Sequence, residues 1–318
     1  MGNQADAGPE STAPDDLMIV TPTRSPAQVR RGERLVREGY APVPGGRVWY
    51  RAVVPRRERG QPLLALHGGP GVPHDYFEPL EALADERLVV FYDQLGCGRS
   101  DRPTTDATLW TLERFVDELA DLRTWLGLDD VHLLGQSWGT MLAAEYVLRQ
   151  PLGIRSLVLA SPILSAARFS EDTRRLRAAL PEDESIGRAA FYQRHGSGTA
   201  DPLPPLDRAA AGANMDIYLL MWGPSEYEFV GSLSTFERVD RLGEIQVPVL
   251  MTCGRFDECT PEATEWYASH IPGARVCVVE NAAHMALLTS TSEYLGVLRS
   301  FLDEHDRGPG TDTRRTED

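Results

Sequence analysis

Apolar and polar positions along this chain follow two alternating rhythms. Short, nearly continuous apolar runs stand at 63–66, 88–92, 131–134, 156–160, 247–253 and 274–279. Runs so short and so uniformly apolar predict strands buried on both faces. Between them lie longer stretches of helical spacing. In 111–126 the residues Leu112, Phe115, Leu119, Leu122 and Leu126 share one face. A second helix is predicted over 140–149, ended by Pro151. Helices are also expected after each of the last two strands. The stretch 39–54 alternates as a hairpin would, with Pro44-Gly45-Gly46 as its turn. Strands alternating with helices imply a mostly parallel sheet covered by helices on both faces.

The rhythm breaks between 162 and about 243. That stretch is helical and polar, contains Asp201-Pro202-Leu203-Pro204-Pro205, and lies between two sheet strands. It reads as an inserted helical cap. Residues 1–25 and 307–318 are rich in polar, Gly and Pro residues and read as disordered tails. The expected layout is therefore a core over 26–161 and 244–306, interrupted by a cap over 162–243.

Composition narrows the chemistry. The chain has 318 residues, and its 32 basic residues are all Arg. The lack of Lys excludes a phosphate-gripping P-loop, a pyridoxal Schiff base and a Ser–Lys dyad. A net charge of −15 argues against nucleic acid and against an anionic membrane surface. The four Cys, at 97, 253, 259 and 277, form no CxxC pair and no zinc spacing, and read as free thiols in a reducing compartment. Cys97 reads as a small hydrophobe. No apolar run approaches a membrane span, and the N-terminus carries no basic-then-apolar signal pattern. A cytoplasmic chain without metal or cofactor is expected, monomeric or a small homo-oligomer.

The sharpest signal is Gly135-Gln136-Ser137-Trp138-Gly139. It sits between the predicted strand at 131–134 and the helix from 140. Two glycines are needed there because the turn is too tight for side chains beside the Ser, and the turn lifts that hydroxyl above the C-terminal edge of the sheet. The plain alternative is a strand–helix turn with a serine cap. A serine nucleophile needs a base, and the base an orienting acid. His284 follows the strand at 274–279, and Asp257 follows the strand ending at Cys253, so both reach the edge that carries Ser137. His305 lies near the polar tail and His270 ends a helix, so both are weaker candidates. Oxyanion donors are expected from the Trp138 N–H and from the Gly69 N–H in His67-Gly68-Gly69-Pro70-Gly71, behind the strand at 63–66.

Three motifs together, His67-Gly68-Gly69-Pro70-Gly71, Asp93-Gln94-Leu95-Gly96-Cys97-Gly98-Arg99-Ser100 and Gly135-Gln136-Ser137-Trp138-Gly139, resemble the proline iminopeptidase family of α/β-hydrolases over about 35–303. Within that family the resemblance runs to the tricorn-interacting aminopeptidase and L-amino-acid amidase branch. It implies an α/β-hydrolase fold with a cap, and an enzyme that releases one N-terminal residue, often proline, from a small peptide or amide. In that branch an acidic residue follows the triad Asp, as Glu258 follows Asp257, and the cap carries Gly-Pro-x-Glu, matched by Gly223-Pro224-Ser225-Glu226. Glu226 and Glu258 are therefore the candidates to hold the substrate's ammonium and so fix the scissile carbonyl over Ser137. Glu228 competes for the same role. The chain departs from the family pattern at Gln136, where relatives often carry Gly, and at Thr140, where they often carry a small residue. The cap aromatics Phe169, Trp222, Tyr227 and Phe229 read more as core than as pocket lining. Three readings of other kinds stay open: an amidase removing an aminoacyl protecting group from a biosynthetic intermediate, an esterase or lactonase of the same fold, and a catalytically inert binding module.

Overall fold

A computed structural model of the chain describes residues 27–31, 34–103 and 107–306. The tails at 1–25 and 307–318 lie outside the described residues. Among the described residues nine strands form one sheet: β1 (Ala27–Arg31), β2 (Arg34–Val43), β3 (Gly46–Val54), β4 (Leu63–Leu66), β5 (Val89–Tyr92), β6 (Val131–Gln136), β7 (Ile154–Ala160), β8 (Val249–Gly254) and β9 (Arg275–Val279), in the order β1-β2-β3-β5-β4-β6-β7-β8-β9. From β5 to β9 the pairs are parallel, while β1, β2 and β3 join antiparallel at one edge. The hairpin is longer than the alternation predicts, because β2 begins at Arg34. Its turn is the two residues between the paired Val43 and Gly46, and Gly45 takes the positive φ of 94° that this turn needs.

Helices cover both faces. On one lie α1 (Leu112–Leu126) and α2 (Trp138–Leu148). Thr111 caps α1 by accepting from the Arg114 N–H, and Gly127 ends it in the left-handed region. Leu112, Phe115, Leu119 and Leu122 are buried as their spacing predicts. Helix α2 begins at Trp138, two residues earlier than expected, and is apolar nearly all round because it is buried against the sheet. The opposite face is covered by the 3₁₀ segment His74–Asp85 and by α9 (Thr291–His305), through Phe77, Leu80, Leu298 and Phe301. Between β7 and β8 run α3 (Ala166–Ala178), α4 (Glu184–Phe191), a π-helical turn Tyr192–Ser197, α5 (Pro204–Ala211) and α6 (Met215–Met221). After β8 comes α7 (Pro261–Ala268), and after β9 the short α8 (Ala286–Thr289) leads into α9. Among the described residues no helix is long and apolar enough to cross a membrane.

The N-terminal edge of the parallel strands is fastened by a buried polar cluster. Asp306, at the end of α9, accepts from His132 Nε2 at 3.0 Å, from Arg87 at 2.9 Å and from the Gln61 N–H at 2.8 Å. Ser156 Oγ lies 2.7 Å from the other nitrogen of His132. Burial pushes the Asp306 carboxyl up, but the His132 and Arg87 hydrogen bonds outweigh it and hold the group at about 2. A carboxyl depressed on folding adds stability above its unfolded pKa and loses it as the pH falls towards the folded value. Asp306→Asn should therefore cost about 2 kcal/mol near neutrality, with the gap to the parent closing between about pH 4 and pH 2. Urea unfolding midpoints across that range test it; equal midpoints at pH 7 would show that Asp306 does not fasten the helix.

Candidate active site

The strand order sets the order of groups along the C-terminal edge. Ser137 follows β6, flanked by the loop after β4 on one side and by Ser161, after β7, on the other; Asp257 and His284 follow β8 and β9. Ser137 has φ 56°, a left-handed conformation that a residue bearing a Cβ adopts only under constraint. Its N–H donates to the Ala160 carbonyl at 3.0 Å. A Cβ at Gly135 would run into the Gly139 carbonyl, and one at Gly139 into the Leu66 carbonyl. The two glycines thus let the turn press against its own helix and against β4. Thr140 Oγ1 donates to the Ser137 carbonyl at 2.6 Å and accepts from the Ile163 N–H, which ties the turn to the chain leaving β7.

Asp257 Oδ1 lies 2.8 Å from His284 Nδ1 and also accepts from the Cys259 N–H at 2.9 Å. Its Oδ2 accepts from Ser161 Oγ at 2.6 Å and from the Gly254 N–H at 3.3 Å. The acid is thus held at both oxygens. Ser137 and His284 line one cleft of about 850 Å³, together with Gly68, Gly69, Glu226 and Glu258. Trp138 is the first residue of α2, where backbone N–H groups have no acceptor within the helix.

The loop after β4 is clamped from behind. The Gln94 N–H donates to His67 Nε2 at 2.9 Å, and His67 Nδ1 donates to the Gly68 carbonyl at 2.9 Å. Burial drops His67 to about 4, so its neutral ring accepts at one nitrogen and donates at the other. Gln94 Nε2 donates to the His67 carbonyl at 3.0 Å, while its Oε1 accepts from Trp138 Nε1 at 2.8 Å. One side chain therefore links the loop to the elbow. Asp93 accepts from His74 Nδ1 at 2.6 Å and from the Arg99 N–H at 2.9 Å, and Gly98 leaves room for its carboxylate. Tyr76 accepts from the Gly68 N–H and donates to Gln136 Oε1 at 2.8 Å. Gly69 has φ 110° and precedes a cis bond to Pro70. A Cβ on Gly68 would come within 3.1 Å of Ser137 Cβ. Burial raises the Cys97 thiol well above its ordinary range, so Cys97 fills space behind His67.

Two carboxylates face the cleft. Glu258 is 4% exposed, and its Oε2 is buried with no hydrogen-bond partner. Its Oε1 lies 3.7 Å from His284 Nε2. Burial raises Glu258, helped by Glu226 and Asp257 and opposed by His284. Glu226 is half-buried in the lining. Glu228 is exposed, accepts from Ser225 Oγ at 2.8 Å and lies outside the lining. Trp222 lines the cleft, whereas Phe169 and Phe229 pack against it from behind, Phe229 stacked at 4.0 Å. Tyr227 packs on Phe191 and donates to Glu184. His270 bonds back to Trp266 in the turn after α7, and His305 packs on Phe301 at the end of α9, both away from the cleft.

Sequence reasoning missed His195. Its carbonyl accepts from the His284 N–H at 3.1 Å, and its Nδ1 donates to the Phe256 carbonyl at 2.7 Å. The adjacent Gly196 carbonyl accepts from the Met285 N–H at 3.2 Å. The π-helical turn therefore braces the loops of both Asp257 and His284. Nothing in the local pattern around His195 announces this, since a backbone carbonyl can come from any residue type. Among the described residues, ligand atoms of Asp257, Cys259 and His284 gather within 4.8 Å of one another. The Asp257 carboxylate and the His284 ring are already bonded to each other, and burial keeps the Cys259 thiol protonated, so this trio does not read as a metal site.

A family model described as the alpha/beta hydrolase fold matches residues 61–291. Two similar proteins are proline iminopeptidases. That of Heyndrickxia coagulans is 44% identical over 285 residues, which cover 84% of this chain and 98% of that one. That of Lactobacillus crispatus is 39% identical over 290 residues, covering 85% and 99%. The crystal structure of the Mycobacterium smegmatis proline iminopeptidase superposes with a TM-score of 0.81 at 35% identity, covering 85% of this chain and 98% of that one. The fold is that of an α/β-hydrolase. Within that class the chain belongs to the proline iminopeptidase family.

The electrostatics give a sign for the pH dependence. Burial alone would lower His284, but the Asp257 and Glu258 carboxylates outweigh it and raise the imidazole above its ordinary range. With His284 as the base expected from the sequence, only its neutral imidazole is active, so kcat/KM should fall on the acid side with a midpoint above the usual value near 6.5. Glu258→Gln removes a lifting charge, and the acid limb should move down by on the order of one pH unit. An acid limb in the same place in both proteins would show that Glu258 carries no charge felt by His284.

Proposed function

We propose that the protein is a serine aminopeptidase releasing an N-terminal residue, proline or another small one, from a short peptide or aminoacyl amide. Ser137 Oγ attacks the carbonyl carbon while His284 Nε2 takes its proton, and Asp257 holds the resulting imidazolium. The N–H groups of Gly69 and Trp138 receive the oxyanion. His284 then gives the proton to the leaving nitrogen, the C–N bond breaks, and an ester to Ser137 remains. Water attacks that ester with His284 again as base, and the amino acid leaves as Ser137 regains its proton. Glu226 and Glu258 bind the substrate ammonium and set its carbonyl over Ser137. The segment 162–243 acts as the cap that encloses this chemistry.

The observation that carries this reading is the buried Glu258 oxygen without a hydrogen-bond partner, in a cleft shared with Ser137 and His284. Leaving a buried acceptor unmatched costs about 1–3 kcal/mol, and a ligand donor at that point recovers it. A substrate ammonium supplies the donor and the charge, whereas the uncharged acyl chain of an ester or lactone supplies neither. The test is a rate panel of Pro, Ala, Ser, Leu and Phe p-nitroanilides, each free and N-acetylated. Free amines should turn over and acetylated ones should not, and Glu226→Gln should lower kcat/KM for free amines by roughly 10–100-fold. Ser137→Ala should lower kcat by on the order of 10⁴-fold or more. Equal rates on acetylated substrates would remove the carboxylate clamp and return the esterase reading.

A further inference from the structure

The cleft is far larger than one amino-terminal residue. At about 850 Å³ it lies near the top of the range that holds drug-sized ligands. Its two ends differ in chemistry. The charged lining residues other than the base gather at one end. Glu226 and Glu258 stand there, and Arg188 of α4 donates to the Pro224 carbonyl at 3.0 Å and pairs with Glu184 at 3.3 Å. That arginine also has Glu228 at 3.9 Å, so its charge is already matched.

The other end is built by α5, the start of α6 and the loop after β4. The Asn214 N–H donates to the Gly71 carbonyl at 2.9 Å, its side chain donates to the Gly96 carbonyl at 2.8 Å, and the Gly98 N–H donates to the Gly212 carbonyl at 2.9 Å. The start of α6 is thus fastened to the loop that flanks Ser137. The cleft surface there comes from Val72, Leu206, Ala210, Ala213 and Met215, none of which carries a charge or a strong hydrogen-bonding group. Met215 is half exposed at the rim, with an unbranched side chain that can adapt to what it meets.

A substrate whose ammonium sits on Glu226 and Glu258 and whose carbonyl sits over Ser137 must send its leaving amine away from the clamp. From that geometry we propose that this end is a leaving-group site for a long, uncharged, apolar amine. The cleft is then shaped for aminoacyl amides of apolar amines rather than for dipeptides ending in a free carboxylate. The inference rests on the aminopeptidase reading above and names its substrate class. A carboxylate at the next residue would find no unmatched cation among the lining residues, and it would enter a protein of net charge −15.

The test uses the full chain and prolyl amides of methylamine, butylamine and octylamine. Alongside run prolyl-leucine with a free carboxylate, prolyl-leucinamide, and prolyl-p-nitroanilide as a reference. Apolar contact along the chain should raise kcat/KM by about tenfold or more from methylamide to octylamide. Prolyl-leucinamide should exceed prolyl-leucine by a similar factor. Ala210→Arg should narrow both gaps, with the free carboxylate gaining relative to the octylamide. A flat chain-length series, or a free-carboxylate dipeptide cleaved as well as its amide, overturns the leaving-group site while the p-nitroanilide rate leaves the aminopeptidase reading intact. Failure of every prolyl substrate together with the free Ala, Ser, Leu and Phe p-nitroanilides overturns both.

Discussion

The close approach of backbone to backbone at the Ser137 turn governs the geometry of this edge. Gly135 and Gly139 leave no room for side chains because α2 leaves the sheet while still pressed against β4 and against the turn itself. The positive φ at Ser137 is sustained by the structure around it: the Ala160 carbonyl receives its N–H, and Thr140 holds its carbonyl. The strained residue is thereby fixed relative to β7 and to the loop after β4. On the proposed reading, a nucleophile at Ser137 displaced by an ångström would lose the oxyanion donors and the base together. The constraint explains why a pentapeptide can hold the centre of a site in which Asp257 and His284 lie more than a hundred residues away.

Around that turn, rigidity comes from neutral hydrogen bonds and charge comes from carboxylates, and the two are kept apart. His67, Gln94, Tyr76 and Gln136 form a buried network without a formal charge, and it sets the path of the Gly68–Gly69 backbone. A neutral network costs less to bury than an ionic one and leaves no field that would compete with an oxyanion. The carboxylates of Asp257, Glu258 and Glu226 lie on the His284 side, where a positive charge has to be held. Two buried carboxylates do stand on the loop side and both are matched, Asp93 by His74 and a backbone N–H, Glu118 by Arg114 and the Leu95 N–H.

The parallel strands were legible because burial on both faces leaves a sequence signal of continuous apolar residues, and α1 because its stripe, cap and terminal glycine agree. The elbow could be read from five residues. Asp257 and His284 could be placed because each follows a strand whose direction is fixed by the parallel sheet. What escaped is what depends on neighbours rather than on local pattern. The first half of β2, Arg34-Leu35-Val36-Arg37-Glu38, lies one strand in from the edge, yet its three charged residues make it look like a loop. Ser161 matters because β7 lies beside β8, so its hydroxyl meets the acid of the next strand. Gln94 matters because β5 and β6 flank β4, so one amide spans the gap between their loops. His195 acts through its backbone carbonyl, for which no residue type is diagnostic.

On the proposed reading the carboxylate cluster couples binding to chemistry. Without substrate, Asp257 and Glu258 stabilise a protonated His284, a state that cannot act as a base. Glu258, buried and close to two other carboxylates, is itself poised to take up a proton, and a proton on Glu258 weakens the lift on His284. The two groups thus compete for positive charge in a space of a few ångströms. A bound ammonium places that charge on Glu226 and Glu258 directly. Their field at His284 is then compensated, the imidazole loses part of its lift, and its proton can leave as the scissile carbonyl arrives over Ser137. An acylated or missing amine would fail twice, by losing its anchor and by leaving the base protonated. Recognition of the amino terminus and activation of the nucleophile would then be one electrostatic event, carried by the same two carboxylates.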